Sequence, residues 1–425
     1  MREMKDSGIE WIGKIPEEWT KDKVIRLFNI IGSGTTPKNI TSDFPCVNWI
    51  QSGDINGSLI SSCKNNVSES IISQYSALKI YAAPFIVIAM YGASVGNTSI
   101  SLIDGCVNQA CCVLSASIYN LNYAFYAIKS SQNYLIRKAI GGGQPNISQD
   151  TIKQLWLPLP ALHEQKRIAA FLDAECAEID TVLEKTRASI EEYKKLKQAV
   201  ITQAVTKGIR GDRPMKDSGI EWIGEIPAEW NKDKVIRVFS VIGSGTTPKS
   251  SDENLFDGNT PWIQSSDING ENLFVTKNCV SNSAIESYSA LRVYQAPYLV
   301  VAMYGASVGN LSLSMIDACV NQACCALKKP TINLKFSFYI FKAVKDYLAR
   351  KAVGGGQPNI SQETIKQLWL PIPSADEQIE ISNYLDEKCR SVDALIAKKQ
   401  QYLTEIENYK KSLIYEYVTG KKEVV

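Results

Sequence analysis

Histidine is almost missing: His163 is the only one in 425 residues. That excludes most zinc sites and every histidine-based catalytic triad not built on His163. No run of eighteen apolar residues occurs, so no transmembrane helix is expected. The most apolar stretch, 81–93, is interrupted by Pro84 and Gly92. The opening MREMKDSGIEW mixes both charges without an apolar centre, so no signal peptide is expected and a cytoplasmic location is. There is no CxxC pair and no PP dipeptide, which removes the [ND]PP[YF] motif that an amino-methyltransferase needs. The GSGTTPK at Gly32 lacks the second Gly followed by Lys-Ser/Thr that a phosphate-binding loop requires. Charge of one sign is not in excess either: 46 basic residues face 44 acidic ones, a net +2. A chain that holds nucleic acid alone is usually more basic, so any DNA contact rests on local patches or on a partner.

What is present is an ordinary globular composition, 45% hydrophobic and 21% charged, which excludes wholesale disorder. Eleven cysteines are an odd number for a disulfide framework, and a cytoplasmic chain keeps them reduced. Cys106, Cys111 and Cys112, with Cys319, Cys324 and Cys325, sit in strand-like apolar runs and read as small buried thiols.

The dominant feature is that the chain is written twice. MKDSGIEWIG starts at Met4 and again at Met215; GSGTTPK starts at Gly32 and Gly243, the same 211 residues on. MYGASVGN starts at Met90 and Met303, VNQACC at Val107 and Val320, GGGQPNIS at Gly141 and Gly354, IKQLWLP at Ile152 and Ile365, now 213 residues on. The two-residue difference falls between Lys38 and Trp49, which marks a loop. Two copies of this length are a tandem duplication of a domain unit and not a solenoid.

Each copy has a globular part and a helical part. Four segments follow: a first recognition globule at 1–160, a helix at 161–208, a second globule at 209–373 and a second helix at 374–425. The fold class expected is mixed α/β, with short β-rich runs such as Phe85–Ala89 and Tyr298–Ala302 between Gly, Asn, Ser and Pro. Helices are expected at 123–140 and 335–353, and shorter ones after the N-caps Ser148 and Ser361. From His163 to Thr206 there is no Gly or Pro. Ile179, Leu183, Thr186, Ile190, Tyr193, Lys197, Val200 and Ala204 alternate spacings of four and three. Val392, Ile396, Lys399, Leu403, Ile406, Lys410, Leu413 and Tyr417 repeat them, which is a coiled-coil seam. Lys197 and Lys410 interrupt the seams at equivalent places, either as register-setting polar residues or as solvent-facing stutters. Each helix should be about 60 Å long, and the short linker KGIRGDRP predicts that the two pair antiparallel, as a spacer between globules with pseudo-two-fold symmetry.

The order SGIEWIG-x-IP-x-x-W, GSGTTPK, GGGQPNIS, then LPLP-x-x-x-EQ and a long helix, all repeated once, resembles the DNA-specificity subunit of a type I restriction-modification system. The resemblance covers essentially the whole chain. It implies two target-recognition domains reading a bipartite target in double-stranded DNA, and helices that dock two methyltransferase subunits. Those partners carry S-adenosylmethionine, and two restriction subunits, the motor-nucleases, complete the complex. The specificity subunit has no active site and binds no cofactor itself. In that family the methylated base is usually adenine.

Candidate DNA-reading residues come in twins. Thr35, Thr36 and Lys38, with Thr246, Thr247 and Lys249, lie on a Gly/Pro loop where hydroxyls and a lysine hold phosphates or simply face solvent. Tyr91, Ser94 and Asn97, with Tyr304, Ser307 and Asn310, follow an apolar strand on a Gly-rich turn, where binding loops project. An Asn there either reads an adenine edge or shapes the turn. Gln144 and Asn146, with Gln357 and Asn359, have the same two readings in GGGQPNIS. Asn108 and Gln109, with Asn321 and Gln322, lie between apolar residues and read as buried hydrogen-bonders. Trp11, Trp19, Trp222 and Trp230 read as packing anchors, and His163, whose counterpart is Asp376, as a solvated residue at a helix start.

Two other functions compete: a self-sufficient DNA-modifying enzyme, against which the missing motifs argue, and a coiled-coil adaptor whose globules bind protein. Twin heads predict a nearly palindromic target, with the divergent stretches 39–45 and 57–74 against 250–261 and 270–287 limiting the identity of the half-sites. The paired helices are expected to set the gap between half-sites.

Overall fold

The computed structural model describes residues 2–38, 45–140, 145–270, 272–353 and 358–424. It forms two compact units, one of Met1–Arg187 with Gln401–Val425, the other of Ala188–Gln400. Each therefore holds one globule, the beginning of the long helix that follows it in sequence, and the closing part of the other long helix.

In the first unit a five-stranded sheet has the spatial order Phe28–Ser33, Cys111–Ser117, Phe85–Ala89, Thr98–Ser101, Leu59–Ile60. Its pairings are antiparallel except for the last, which is parallel. A three-stranded sheet, Gly105–Val107, Cys46–Ile50, Asn66–Ser68, lies beside it. The central strand FIVIA is buried at all five positions, and strand geometry sends alternate side chains to opposite faces. Ile86 and Ile88 join a core with Trp19, Tyr123 and Leu172, whereas Phe85, Val87 and Ala89 pack with Ile50 and Val107. The sheet is thus covered on both faces, by helices on one and by the smaller sheet on the other. Burying each such side chain contributes about 1.5–3 kcal/mol.

The second unit repeats this order with Phe239–Ser244, Cys324–Pro330, Tyr298–Ala302, Leu311–Ser314 and Asn272–Leu273, and with the smaller sheet Asn278–Val280, Thr260–Ile263, Cys319–Val320. The mixed α/β class read from the sequence holds. Cys106, Cys111, Cys112, Cys319, Cys324 and Cys325 are all fully buried, as their apolar setting implied.

One helix differs from its expected form. In place of a single helix at 123–140 there are two, Leu121–Ser130 and Gln132–Lys138. The buried hydroxyl of Ser131 donates to the carbonyl of Ile128 at 2.7 Å, and a side chain that bonds its own preceding turn competes with the helical ladder. Val344 takes that place in the second copy, and the helix there is continuous over Leu334–Arg350. Ser148 and Ser361 cap their helices as read, each accepting the backbone N–H three residues on at 3.0 Å.

The long helices run Leu162–Lys207 and Ala375–Val418. In the first unit they meet antiparallel: Lys410 Nζ bonds both carboxylate oxygens of Asp180, at 2.6 and 2.7 Å, and Arg187 reaches Glu407 at 2.6 Å. In the second unit Lys197 bonds Asp393 at 2.6 and 2.5 Å, and Arg210 meets Glu380 at 2.8 Å. Both seam lysines therefore face an aspartate of the opposite helix, a register-setting arrangement and not a solvent-facing stutter. The far helix also completes each core: Leu413, Ile414 and Val418 join the first, Ile201, Ala204 and Val205 the second.

The repeated tryptophans pin each globule, Trp11 and Trp222 to a strand within it and Trp19 and Trp230 to the long helix that follows. Trp11 and Trp222 donate their indole N–H to the carbonyls of Trp156 and Trp369, each at 3.1 Å. Trp19 donates to Glu164 at 2.9 Å. Among the described residues no helix is long and apolar enough to cross a membrane.

Candidate nucleic-acid interface

The Gly-rich loop after Phe28–Ser33 packs hard against the neighbouring turn. A Cβ at Gly34 would overlap the carbonyl oxygen of Val107, and one at Gly245 that of Val320, so only glycine permits the approach. This places the exposed Thr36 hydroxyl 2.5 Å from Gln109 Oε1, to which it donates. Thr247 donates to Gln322 Oε1 at the same 2.5 Å. Thr35 and Thr246 beside them are half-buried, and Lys38 and Lys249 are exposed. The backbone N–H groups of these lysines donate to the hydroxyls of Tyr75, at 3.3 Å, and Tyr288, at 3.1 Å.

Backbone bonds then carry the rim onward. Met90 N–H donates to Ala110 at 2.7 Å, Ile147 N–H to Met90 at 2.9 Å, and Gly92 N–H to Pro145 at 2.8 Å. Segment 90–92 is thereby stitched between the 108–110 turn and 145–147, with the exposed Tyr91 and Asn146 paired across an antiparallel bridge. Ser94 Oγ donates to the Tyr91 carbonyl at 3.1 Å and fixes the turn. Met303, Gly305, Tyr304, Ser307 and Asn359 reproduce each of these contacts. Each unit thus gathers its Thr, Gln, Tyr and Asn on one edge with a lysine nearby, a set of donors and acceptors suited to phosphates and base edges.

Two kinds of candidate stand apart. Asn97 faces inward: its amide donates to the Ile55 carbonyl at 3.2 Å and accepts from Gln132 Nε2 at 2.7 Å. Asn310 lines a cavity of about 380 Å³ with Lys194, Lys342 and Lys345 beside the helix pair. Gln144 and Gln357 lie outside the described residues. Conversely, Gln109 and Gln322 are exposed rim residues, not the buried hydrogen-bonders expected. Strand alternation ends at that turn, so their apolar neighbours point inward while the glutamine points out. The signal available was the unbroken VNQACC in both copies.

No group of three His, Cys, Asp or Glu among the described residues is placed to hold a metal. His163 is exposed in the first turn of its helix. Burial raises the Cys111 and Cys112 thiols to about 12 and those of Cys106 and Cys319 to about 11, which keeps them protonated and unreactive. Lys129, beside the helix pair, is lowered to about 8, by burial first and by the charge of Lys410 second.

A polar edge repeated on two mixed α/β globules, each followed by a long helix, defines a recognition protein with a duplicated domain. The model of the type I restriction modification DNA specificity domain matches residues 16–192 and 227–408. The chain belongs to that family, the non-catalytic specificity subunits that the repeated motifs resembled. It is 26% identical over 300 residues to the type I restriction enzyme MjaX specificity subunit of Methanocaldococcus jannaschii, a stretch covering 70% of this chain and 65% of that protein. It is 25% identical over 313 residues to the MjaVIII specificity subunit of the same organism, covering 71% and 70%. Its fold is similar to a chain from a structural study of complex assembly and conformational transition of the type I R-M system, with TM-score 0.72, 17% identity, and 95% and 98% of the two chains covered. The HsdS subunit from Thermoanaerobacter tengcongensis aligns with TM-score 0.50 and 17% identity over 96% and 98%.

Proposed function

We propose that this chain is the DNA-recognition subunit of a type I restriction-modification complex, each globule reading one half-site of a bipartite duplex target. The observation that supports this most is the duplicated edge: Thr36 on Gln109 and Thr247 on Gln322, each at 2.5 Å, beside Tyr91–Asn146 and Tyr304–Asn359. Thr35, Ser94, Thr246 and Ser307 shape that edge, and Lys38 and Lys249 supply its positive charge. Asn97 is left out, because both ends of its amide are engaged internally.

The net +2 charge offers few released counterions, so partners supply much of the affinity. These are two methyltransferase subunits, which hold the S-adenosylmethionine, and two motor-nuclease restriction subunits. The working compartment is the cytoplasm.

The test is to map methylated bases in DNA from cells that express the chain with its methyltransferase partner. A bipartite motif with two related, inverted half-sites is expected. Two unrelated half-sites defeat the twin-reading part; methylation that does not depend on this chain defeats the whole. In a mobility-shift assay the purified chain alone should bind far more weakly than with its partner, and specific nanomolar binding alone at physiological salt would contradict the assignment of affinity to partners.

A further inference from the structure

Three short segments meet at the edge that carries Tyr91 and Asn146, and all three alternate. Met90, Ile147 and Ala139 turn into the core, while their neighbours Tyr91, Asn146 and Ile140 turn out and are exposed. Asn146 is the middle of the row. It is bridged to Tyr91 on one side and to Ile140 on the other, where the Ile140 N–H donates to the Asn146 carbonyl at 2.9 Å and the Asn146 N–H to the Ile140 carbonyl at 3.1 Å. Directly opposed residues of an antiparallel pair project from the same face. A phenol, an amide and a branched hydrocarbon therefore stand side by side. The second unit repeats the row with Tyr304, Asn359 and Val353, bonded at 2.9 and 3.0 Å, over the inward Met303, Ile360 and Ala352.

Ile140 is 79% exposed and Val353 74%. A lone exposed apolar residue is commonplace. Here the position is apolar in both copies, and each residue is hydrogen-bonded to an asparagine of the reading edge. Its surroundings are cationic: Arg137 and Lys138 precede Ile140, and Arg350 and Lys351 precede Val353, all four exposed. Arg137 and Lys351 meet the exposed Glu10 and Glu221 at 3.2 and 3.6 Å, surface pairs that hold little energy and yield to a phosphate. An apolar tip beside an amide, within a basic rim, matches a duplex groove, where phosphates flank the base edges.

We infer that Ile140 and Val353 are specificity-determining residues, one in each globule, and that each packs against the C5-methyl group of a thymine in the major groove. The thymine methyl is the one apolar feature of a base edge there, and the neighbouring asparagine suits an adenine edge. Hydrogen-bonded partners of an antiparallel pair lie about 5.5 Å apart at Cα, and bases are spaced about 3.4 Å along a strand. The thymine therefore falls within one or two steps of the adenine. Because the row is the same in both units, both half-sites carry it. The inference rests on the DNA-reading function proposed above.

The experiment uses the chain in complex with its methyltransferase partner and duplexes carrying the mapped target. Each thymine of both half-sites is replaced in turn by deoxyuridine, which removes only the methyl group. In the wild-type complex one position in each half-site should weaken binding about fourfold, the factor for one buried methyl group. Ile140→Ser should abolish that sensitivity in one half-site and leave the other, and Val353→Ser should do the reverse. Both variants should keep the wild-type unfolding midpoint, because both side chains are exposed. Variants that keep both sensitivities, or a wild-type complex that binds its target with no sensitive thymine, overturn this inference and leave DNA reading standing. A variant that stops copurifying with the methyltransferase places the residue on a protein contact and also overturns it. A wild-type complex that binds no specific duplex removes the proposed function and the inference together.

Discussion

The indole N–H of Trp230 donates to Glu377 Oε2 at 2.8 Å, while Arg213 Nη1 meets Oε1 of the same carboxylate at 2.6 Å. Glu377 stands in the first turn of its long helix, where a negative charge also complements the helix dipole. Its side chain is only 3% exposed, so the carboxylate depends on these two donors. Trp19, Glu164 and Arg2 repeat the triad, at 2.9 and 2.5 Å. The adjacent Gln378 accepts the Asn333 N–H at 2.6 Å and donates to Pro373 at 2.9 Å, so the Glu-Gln pair joins helix to globule.

Replacing Glu377 by Ala leaves a buried indole N–H without its acceptor and takes one of two carboxylates from Arg213, which keeps Glu229 at 3.1 Å and the Lys207 carbonyl at 2.9 Å. A loss of about 2–3 kcal/mol is expected, since a buried donor loses its partner and a nearly buried charge loses its closer one. Glu164→Ala should cost less, about 1–2 kcal/mol, because Arg2 is 24% exposed against 12% for Arg213. Urea unfolding of the two variants checks the order; equal losses would contradict it.

The seam lysines should be coupled to their aspartates. Lys410→Glu places two carboxylates together at Asp180, and Asp180→Lys in the same chain restores the pair. A double-mutant cycle should return a coupling of about 1 kcal/mol, at the upper end for ion pairs whose acid is half exposed. The same cycle on Lys197 and Asp393 should agree. Zero coupling in both would return these lysines to simple solvation.

Thiol reactivity should separate by burial. Burial raises the Cys111, Cys112 and Cys325 thiols to about 12, so at pH 8 almost no thiolate exists at these sites. Brief iodoacetamide treatment of the folded chain, read by peptide mass spectrometry, should modify Cys46 and Cys279, which are partly exposed, well before these three. Rapid modification of Cys112 would contradict the packing described.

Lys129 gives a pH signature. Its folded value, about 8, lies below its ordinary 10.5. Between those values the unfolded chain binds the extra proton, so stability rises with pH across that window. Below pH 8 both states are protonated and the cost of burying the charge is fully present. Wild type should therefore gain stability relative to Lys129→Met between pH 8 and pH 10, measured by urea unfolding. A difference that stays flat or falls would show that Lys129 is charged throughout.

Much of this protein is determined locally and was legible in the chain. The duplication is literal text, the helices declare themselves by the spacing of Leu183, Ile190 and their partners, and Ser148 and Ser361 cap because their hydroxyls reach a backbone three residues away. What only the tertiary structure decided involves residues far apart in sequence. Ser131 ends a helix because burial turns its hydroxyl back on Ile128. Gln109 leaves the core because Gly34 lets a loop from 73 residues before Gln109 bring Thr36 to it. Asn97 turns inward because Ile55 and Gln132 take both ends of its amide. Periodicity and caps are short-range physics, whereas the direction in which a polar side chain faces depends on which distant backbone or side-chain group competes with water for it.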